Sequence, residues 1–84
     1  MTARPIVVVG DVGLDVITRP SADIHWRSDT PSAVAMTPGG AGGNSASWLA
    51  SAGANVVLVA RVGQDAAGET ARRELESAGV RCAF

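Results

Sequence analysis

The side chains in this sequence that are best suited to bind a ligand are a carboxylate and an amide, together with a group of glycines. Asp15 follows the first apolar run, and Asn44 directly follows a cluster with four glycines in five positions, 39–43. A carboxylate accepts protons from two hydroxyl groups, an amide both donates and accepts, and glycines let a ligand approach backbone N–H groups. This set is typical of a site for a neutral ligand with several hydroxyl groups.

The glycines do not form either of the common nucleotide-binding motifs. Gly10 and Gly13 lack the G-x-G-x-x-G spacing of the dinucleotide fingerprint, and the segment after Gly13 has an extended pattern. The Walker A loop needs a lysine after its last glycine, whereas Asn44 and Ser45 follow the cluster here. Asp11, which follows Gly10, is interpreted as a turn residue. The spacing therefore favours hydroxyl groups over nucleotide phosphates as the ligand.

The elements that must position these residues form an alternating α/β pattern. Continuous apolar runs at 6–9 and 55–61 indicate strands of a parallel sheet that is covered on both faces. Residues 80–84 begin a third strand. Because helical patterns separate these runs, the sequence predicts an α/β fold with right-handed crossovers.

The two helices are predicted from their spacing and their end signals. The first covers 45–53, and the side chain of Asn44 at its start either caps the first turn or faces a polar ligand. The second begins after Asp65, a capping residue, and ends near residue 78. The inner faces are predicted to carry Ala46, Leu49, Ala50 and Gly53 in the first helix and Ala67, Ala71, Leu75 and Ala78 in the second.

A polar excursion separates the first strand from the glycine cluster. Two short extended stretches, 16–18 and 33–37, flank the loop-like residues 21–32. This arrangement predicts a small flap that lies outside the main sheet. His25 and Trp26 lie in the middle of the flap and are interpreted as surface residues, because no nucleophile or metal ligand accompanies them.

The composition argues against several classes of function. The net charge is −1, with seven basic and eight acidic residues, and no basic stripe points to nucleic acid or to a membrane surface. The lone Cys82 permits no internal disulfide and no metal cluster, and it is interpreted as a structural residue. The apolar run near the start is too short for a signal sequence or a membrane span, so a cytoplasmic protein is the default expectation.

The length of 84 residues allows one small domain at most. With two helices and at most three main strands, the predicted sheet has neither both faces covered nor both edges paired. We therefore expect residues 1–84 to be the N-terminal piece of a larger domain.

The order and spacing of several motifs resemble the N-terminal part of the ribokinase-like carbohydrate kinases, the PfkB family. The motifs are the apolar strand 7–10 with Asp15 five residues on, the segment 39–46, Gly53, and the segment 61–68. The resemblance implies a three-layer α/β/α sandwich with a small β lid within about 14–37. It also implies transfer of the γ-phosphoryl group of ATP to a hydroxyl group of a sugar or nucleoside.

The resemblance assigns acceptor-binding roles to five residues. Asp15 would hold sugar hydroxyl groups, and Gly39, Gly40, Ala41 and Asn44 would line the same pocket. Ribokinases proper usually carry a lysine where this chain has Ala41, which puts ribose itself in doubt. Lids of this type often pair, so a homodimer through the lid is one expected assembly.

The resemblance assigns no catalytic residue to this sequence. The family's second signature, which contains the general base, lies downstream and is absent here, as is the ATP site. ATP and Mg²⁺ are therefore expected for the full-length enzyme, with neither bound by this segment, which would be inactive alone. The alternative hypothesis is a stand-alone small α/β binding or interaction module whose glycine loop is merely structural.

Overall fold

The structure is a computed structural model that describes residues 4–84. Its elements follow the order strand, two lid strands, helix, strand, helix, strand, as the sequence predicts. They are β1 (Ile6–Val9), β2 (Gly13–Pro20), β3 (Ser32–Gly39), α1 (Ala41–Ser51), β4 (Val56–Val59), α2 (Ala66–Ser77) and β5 (Arg81–Ala83).

The main sheet is parallel, and its three strands lie in the order β1-β4-β5. Ile6 of β1 is paired with Val56 of β4, and Val57 of β4 is paired with Arg81 of β5. The helices α1 and α2 connect these neighbouring strands. Since both right-handed crossovers advance in the same direction along the sheet, both helices pack on the same face.

The core lies between this face and the two helices. Ala46 of α1 and Leu75 of α2 share one buried cluster with Val56, Leu58 and Val80. The alternation of side chains along the strands places the next residues on the opposite face. This agrees with the expectation that two helices cannot cover both faces of the sheet within the described residues.

Exposed valines show that the opposite face of the sheet is not covered by the described elements. Val7, Val9 and Val59 are 56%, 79% and 37% exposed, although each belongs to a continuous apolar run. A run of this kind is typical of a strand buried on both sides. The described elements thus supply the sheet and one layer of helices, with the second face of the sheet open.

The flap predicted from the sequence is present as a separate two-stranded antiparallel sheet, which we call the lid. Its pairing runs from Gly13 opposite Gly39 to Pro20 opposite Ser32, so both strands are longer than predicted. Periodicity could not reveal these ends, because most residues of β2 and half of those of β3 are exposed. The lid joins the main body where β1, β2 and the glycine cluster meet.

The first helix begins earlier than the sequence predicts. It starts at Ala41 instead of residue 45, with Gly40 as the N-cap residue at a φ of 83°. Asn44 consequently lies within the helix, and no side chain caps the helix from the N-cap position. The prediction that Asn44 stands at the start of the helix is wrong, because long-range contacts fix this end and glycine helix propensity does not.

The buried faces of the helices agree with the predicted ones only in part. The buried residues are Gly42, Gly43 and Ala46 in α1 and Gly68, Ala71 and Leu75 in α2. Gly53 lies beyond the end of α1 at a φ of 91°. Ala67 is exposed because Gly68 instead faces inward against the carbonyl oxygen of Gly63. Ala78 is exposed as the C-cap residue beyond the end of α2.

The predicted cap of the second helix is confirmed. Asp65 is the N-cap residue of α2, and its Oδ1 accepts a hydrogen bond of 2.8 Å from the backbone N–H of Gly68. We expect Asp65→Ala to lower the free energy of unfolding by about 1 kcal/mol, because this N–H loses its partner. Urea unfolding followed by circular dichroism measures the change. Asp65→Asn keeps an acceptor at the same position and should be close to wild type, and an equal loss in both variants would contradict the capping role.

Candidate functional site

Asp15 lies at the base of the lid, directly over Gly39. The two residues are on the same face of the lid, since Asp15 is paired with Thr37 and Gly13 with Gly39. A Cβ atom placed on Gly39 would lie 2.5 Å from both carboxylate oxygens of Asp15. Gly39 therefore leaves the space that the carboxylate occupies. The carboxylate is exposed and accepts no hydrogen bond from any residue between 4 and 84, so it is open to a ligand.

The glycine cluster is fastened to the end of β1 by Asp11. Oδ1 of Asp11 accepts hydrogen bonds from the backbone N–H of Ala41 at 3.1 Å and of Gly42 at 3.4 Å. The carbonyl oxygen of Asp11 accepts a third, of 3.1 Å, from the N–H of Gly43. Asp11 is thus a partner of the helix start rather than only a turn residue, which corrects the interpretation made from the sequence.

Two glycines of the cluster are required by this close approach of backbones. A Cβ on Gly42 would lie 2.7 Å from the carbonyl oxygen of Asp11 and 2.8 Å from the carbonyl carbon of Gly10. A Cβ on Gly40 would lie 2.8 Å from the same oxygen of Asp11, and its φ of 83° is one that other residues rarely adopt. Much of the glycine content therefore serves backbone packing, and the N–H groups of Ala41, Gly42 and Gly43 are already bonded.

Asn44 and Ala41 lie on the exposed side of the start of α1. The backbone N–H of Asn44 donates to the carbonyl oxygen of Gly40 at 2.9 Å, which is an ordinary helical bond. The side chain of Asn44 is exposed and accepts no cap hydrogen bond from the helix. Asp15 and Asn44 thus belong to adjoining elements, the lid base and the helix start, and both offer exposed polar groups.

Two cavities lie beside these residues and do not include them. One, of about 230 Å³, is bounded by the lid base at 12–14, the loop after β4 and α2. Leu14 lines it from the lid face opposite to that of Asp15. The other, of about 400 Å³, lies between the loop 62–65, the start of α2 and Phe84. Neither cavity brings Asp15 and Asn44 together.

The remaining polar residues singled out in the sequence lie away from the lid base. His25 and Trp26 are at the exposed tip of the lid, where Nδ1 of His25 lies 3.0 Å from the carbonyl oxygen of Asp29. Burial, followed by the negative charge of Glu76, raises the pKa of the Cys82 thiol. A raised pKa lowers the thiolate fraction, which favours a structural role for Cys82.

Comparison with known proteins decides the family. The sequence matches the family described as pfkB family carbohydrate kinase over residues 3–84. This chain belongs to the pfkB family. The match covers nearly the whole sequence, including the lid, the glycine cluster and both helices, and it favours the kinase hypothesis over a stand-alone interaction module.

Individual pfkB relatives agree with this assignment. The chain is 29% identical over 75 residues to a pseudouridine kinase from Escherichia coli (strain K12), covering 89% of this chain and 24% of the relative. Among solved structures, a carbohydrate kinase from Agrobacterium tumefaciens has a TM-score of 0.82 at 26% identity, covering 96% of this chain and 26% of that chain. The chain spans about a quarter of the length of these relatives.

A second solved structure confirms the fold class. The matching chain is from Clostridium perfringens. It has a TM-score of 0.75 at 23% identity, and the match covers 28% of its length. The described elements are thus part of a ribokinase-like α/β/α sandwich with a small β lid. Within residues 4–84, no helix has the length and apolar character needed to cross a bilayer.

Proposed function

We propose that this chain is the acceptor-binding N-terminal segment of an ATP-dependent kinase that phosphorylates a hydroxyl group of a sugar or nucleoside. We call the longer chain that contains it the parent kinase. The observation that carries the proposal is the exposed carboxylate of Asp15, which lies over Gly39 at the base of the lid in a chain of the pfkB family.

The chemistry of this position suits a polyhydroxylated acceptor. Phosphoryl transfer depends mainly on holding the acceptor in line and on stabilising charge, so an acceptor site contributes by positioning. Asp15 accepts hydroxyl protons, and the amide of Asn44 both donates and accepts. Gly39, Gly40 and Ala41 form the surface between them with little side-chain bulk. We assign acceptor binding to these five residues and no catalytic role to any of them.

ATP and Mg²⁺ belong to the parent kinase in this proposal, and the described residues do not fit either of them. No group of three or more His, Cys, Asp or Glu side chains within 4–84 is arranged to hold a metal ion. The start of α1 does not offer free N–H groups to a phosphate, because those of Ala41, Gly42 and Gly43 are bonded to Asp11. We therefore assign no step of phosphoryl transfer to this segment.

The acceptor class and the assembly are also part of the proposal. The relatives include a pseudouridine kinase and a carbohydrate kinase, so both nucleosides and sugars are suitable test acceptors. The lid face that carries Val16, Val34 and Met36 leaves these side chains 60%, 63% and 58% exposed, which supports a homodimer through the lid. We also propose a cytoplasmic location for the parent kinase.

Phosphorylation assays on two chains test the proposal. The parent kinase and the 84-residue chain are each incubated with ATP, Mg²⁺ and a panel of D-ribose, D-fructose and pseudouridine. We expect ADP release and a phosphorylated product only from the parent kinase, because in this proposal the segment holds the acceptor while the ATP site and the catalytic base belong to the rest of the parent kinase. Turnover by the 84-residue chain would contradict its purely acceptor-binding role. Failure of the parent kinase to turn over any hydroxylated acceptor would overturn the proposed function.

A further inference from the structure

We infer that Asp11 is a positioning residue for acceptor binding, because its side chain holds the first turn of α1 against the end of β1. The inference rests on the proposed function, in which Gly40, Ala41 and Asn44 line the acceptor site. Asp11 itself would not contact the acceptor. It would set where the start of α1 stands relative to Asp15 at the lid base.

The hydrogen bonds of Asp11 account for the way this helix begins. A helix leaves its first N–H groups without intrahelical partners, and a side chain at the N-cap position usually satisfies one of them. Gly40 is the N-cap residue here and has no side chain to offer. Asp11, about thirty residues earlier in the chain, satisfies the N–H groups of Ala41, Gly42 and Gly43 instead. The cap is therefore a tertiary contact that ties two segments of the site together.

The charge of Asp11 strengthens this contact. A carboxylate at the N-terminus of a helix interacts favourably with the helix dipole, and hydrogen bonds to a charged acceptor are stronger than neutral ones. The bonded N–H groups are also removed from any ligand. The acceptor would therefore be held by the side chains of Asp15 and Asn44, and its affinity would depend on how accurately the first turn of α1 is placed.

The side chain and the backbone of Asp11 have separable roles. The bond from Gly43 and the close contacts of Gly42 involve the backbone of Asp11, which a substitution leaves in place. Removing the carboxylate releases only the N–H groups of Ala41 and Gly42. Asp11→Ala should therefore keep the fold while loosening the first turn of α1, and Asp11→Asn should keep the contact because its amide oxygen still accepts.

The experiment compares Asp11→Ala and Asp11→Asn in the parent kinase by steady-state kinetics and by amide hydrogen exchange. With the acceptor of the panel that the wild type phosphorylates, we expect Asp11→Ala to raise the acceptor KM about tenfold and to leave the KM for ATP unchanged. Exchange at Ala41 and Gly42 should become about tenfold faster. Asp11→Asn should restore both quantities to within about threefold of wild type.

Asp65→Ala is the matched control, since it removes the cap of the other helix. It should lower stability without raising the acceptor KM. If Asp65→Ala raised the acceptor KM as much as Asp11→Ala does, the rise would reflect general destabilisation and the inference would be overturned. Unchanged exchange at Ala41 and Gly42 in Asp11→Ala would also overturn it. If the wild type turned over no acceptor, both the proposed function and the role of Asp11 in acceptor binding would be overturned. Faster exchange would still support the structural contact, so the two failures are distinguishable.

Discussion

Replacing Asp15 by alanine in the parent kinase is expected to raise the KM for the acceptor about 100-fold, because two hydroxyl groups lose a charged partner. Each hydrogen bond to a charged group contributes about 1.5–3 kcal/mol, and about 1.4 kcal/mol corresponds to a tenfold change. The carboxylate is exposed at the lid base without a protein partner in the described chain, so its removal should leave the fold intact. Steady-state kinetics and calorimetric titration with the acceptor measure the effect.

Two further variants separate position from charge in this prediction. Asp23→Ala makes the same change at an exposed position in the tip of the lid and should leave the KM unchanged. Gly39→Ala keeps the Asp15 carboxylate but places a methyl group 2.5 Å from both of its oxygens, so the side chain must turn away. We expect Gly39→Ala to raise the acceptor KM about tenfold. A wild-type KM in Asp15→Ala would remove Asp15 from the acceptor site.

The sequence predicted the elements whose signals are local. The apolar runs gave β1 and β4, and the helix stop at Gly53 and the cap at Asp65 gave helix ends close to those observed. Each of these signals acts within a few residues, so one sequence is enough to read it. The α/β fold class follows from their order, and the structural relatives confirm it.

The start of α1 could not be predicted in the same way. Glycine is a poor helix former, so Gly42 and Gly43 argued for a loop. Only the contacts with Asp11, about thirty residues away in sequence, make these glycines helical. The same separation in sequence is the reason why the role of Asp11 was not predicted. Two features together could have suggested it: an aspartate at the end of a strand, and a glycine-rich helix start without a capping side chain.

The candidate site shows a similar division between residue identity and arrangement. Asp15, Gly39 and Asn44 were predicted from residue type and from the family resemblance. The sequence did not show that Asp15 lies directly over Gly39, because this contact depends on the register of the lid strands. Because most residues of the lid are exposed, its sequence has little hydrophobic periodicity from which the strand register could be predicted. The acceptor role of all five residues stays a prediction, which the kinetics above would test at Asp15 and Gly39.

Gly42→Ala is expected to cause a large loss of stability, because Gly42 lies against the backbone of Gly10 and Asp11. Its new methyl group would lie 2.7 Å from the carbonyl oxygen of Asp11, 2.8 Å from the carbonyl carbon of Gly10 and 3.0 Å from the backbone nitrogen of Asp11. All three are backbone atoms, so relief requires α1 to move away from β1. Overpacking of this kind costs about 1–3 kcal/mol, and we expect Gly42→Ala to lower the free energy of unfolding by about 2 kcal/mol. Urea unfolding of the parent kinase measures the loss.

Gly43→Ala is the control that makes this prediction specific. Gly43 is also buried and is the next residue of α1, but its methyl group would approach nothing closer than Cγ2 of Val12 at 4.0 Å. Alanine is the better helix former, so Gly43→Ala should raise the free energy of unfolding by about 0.5–1 kcal/mol. The two neighbouring substitutions are thus expected to have opposite signs. Equal effects at the two positions would show that α1 does not pack against the end of β1 through Gly42.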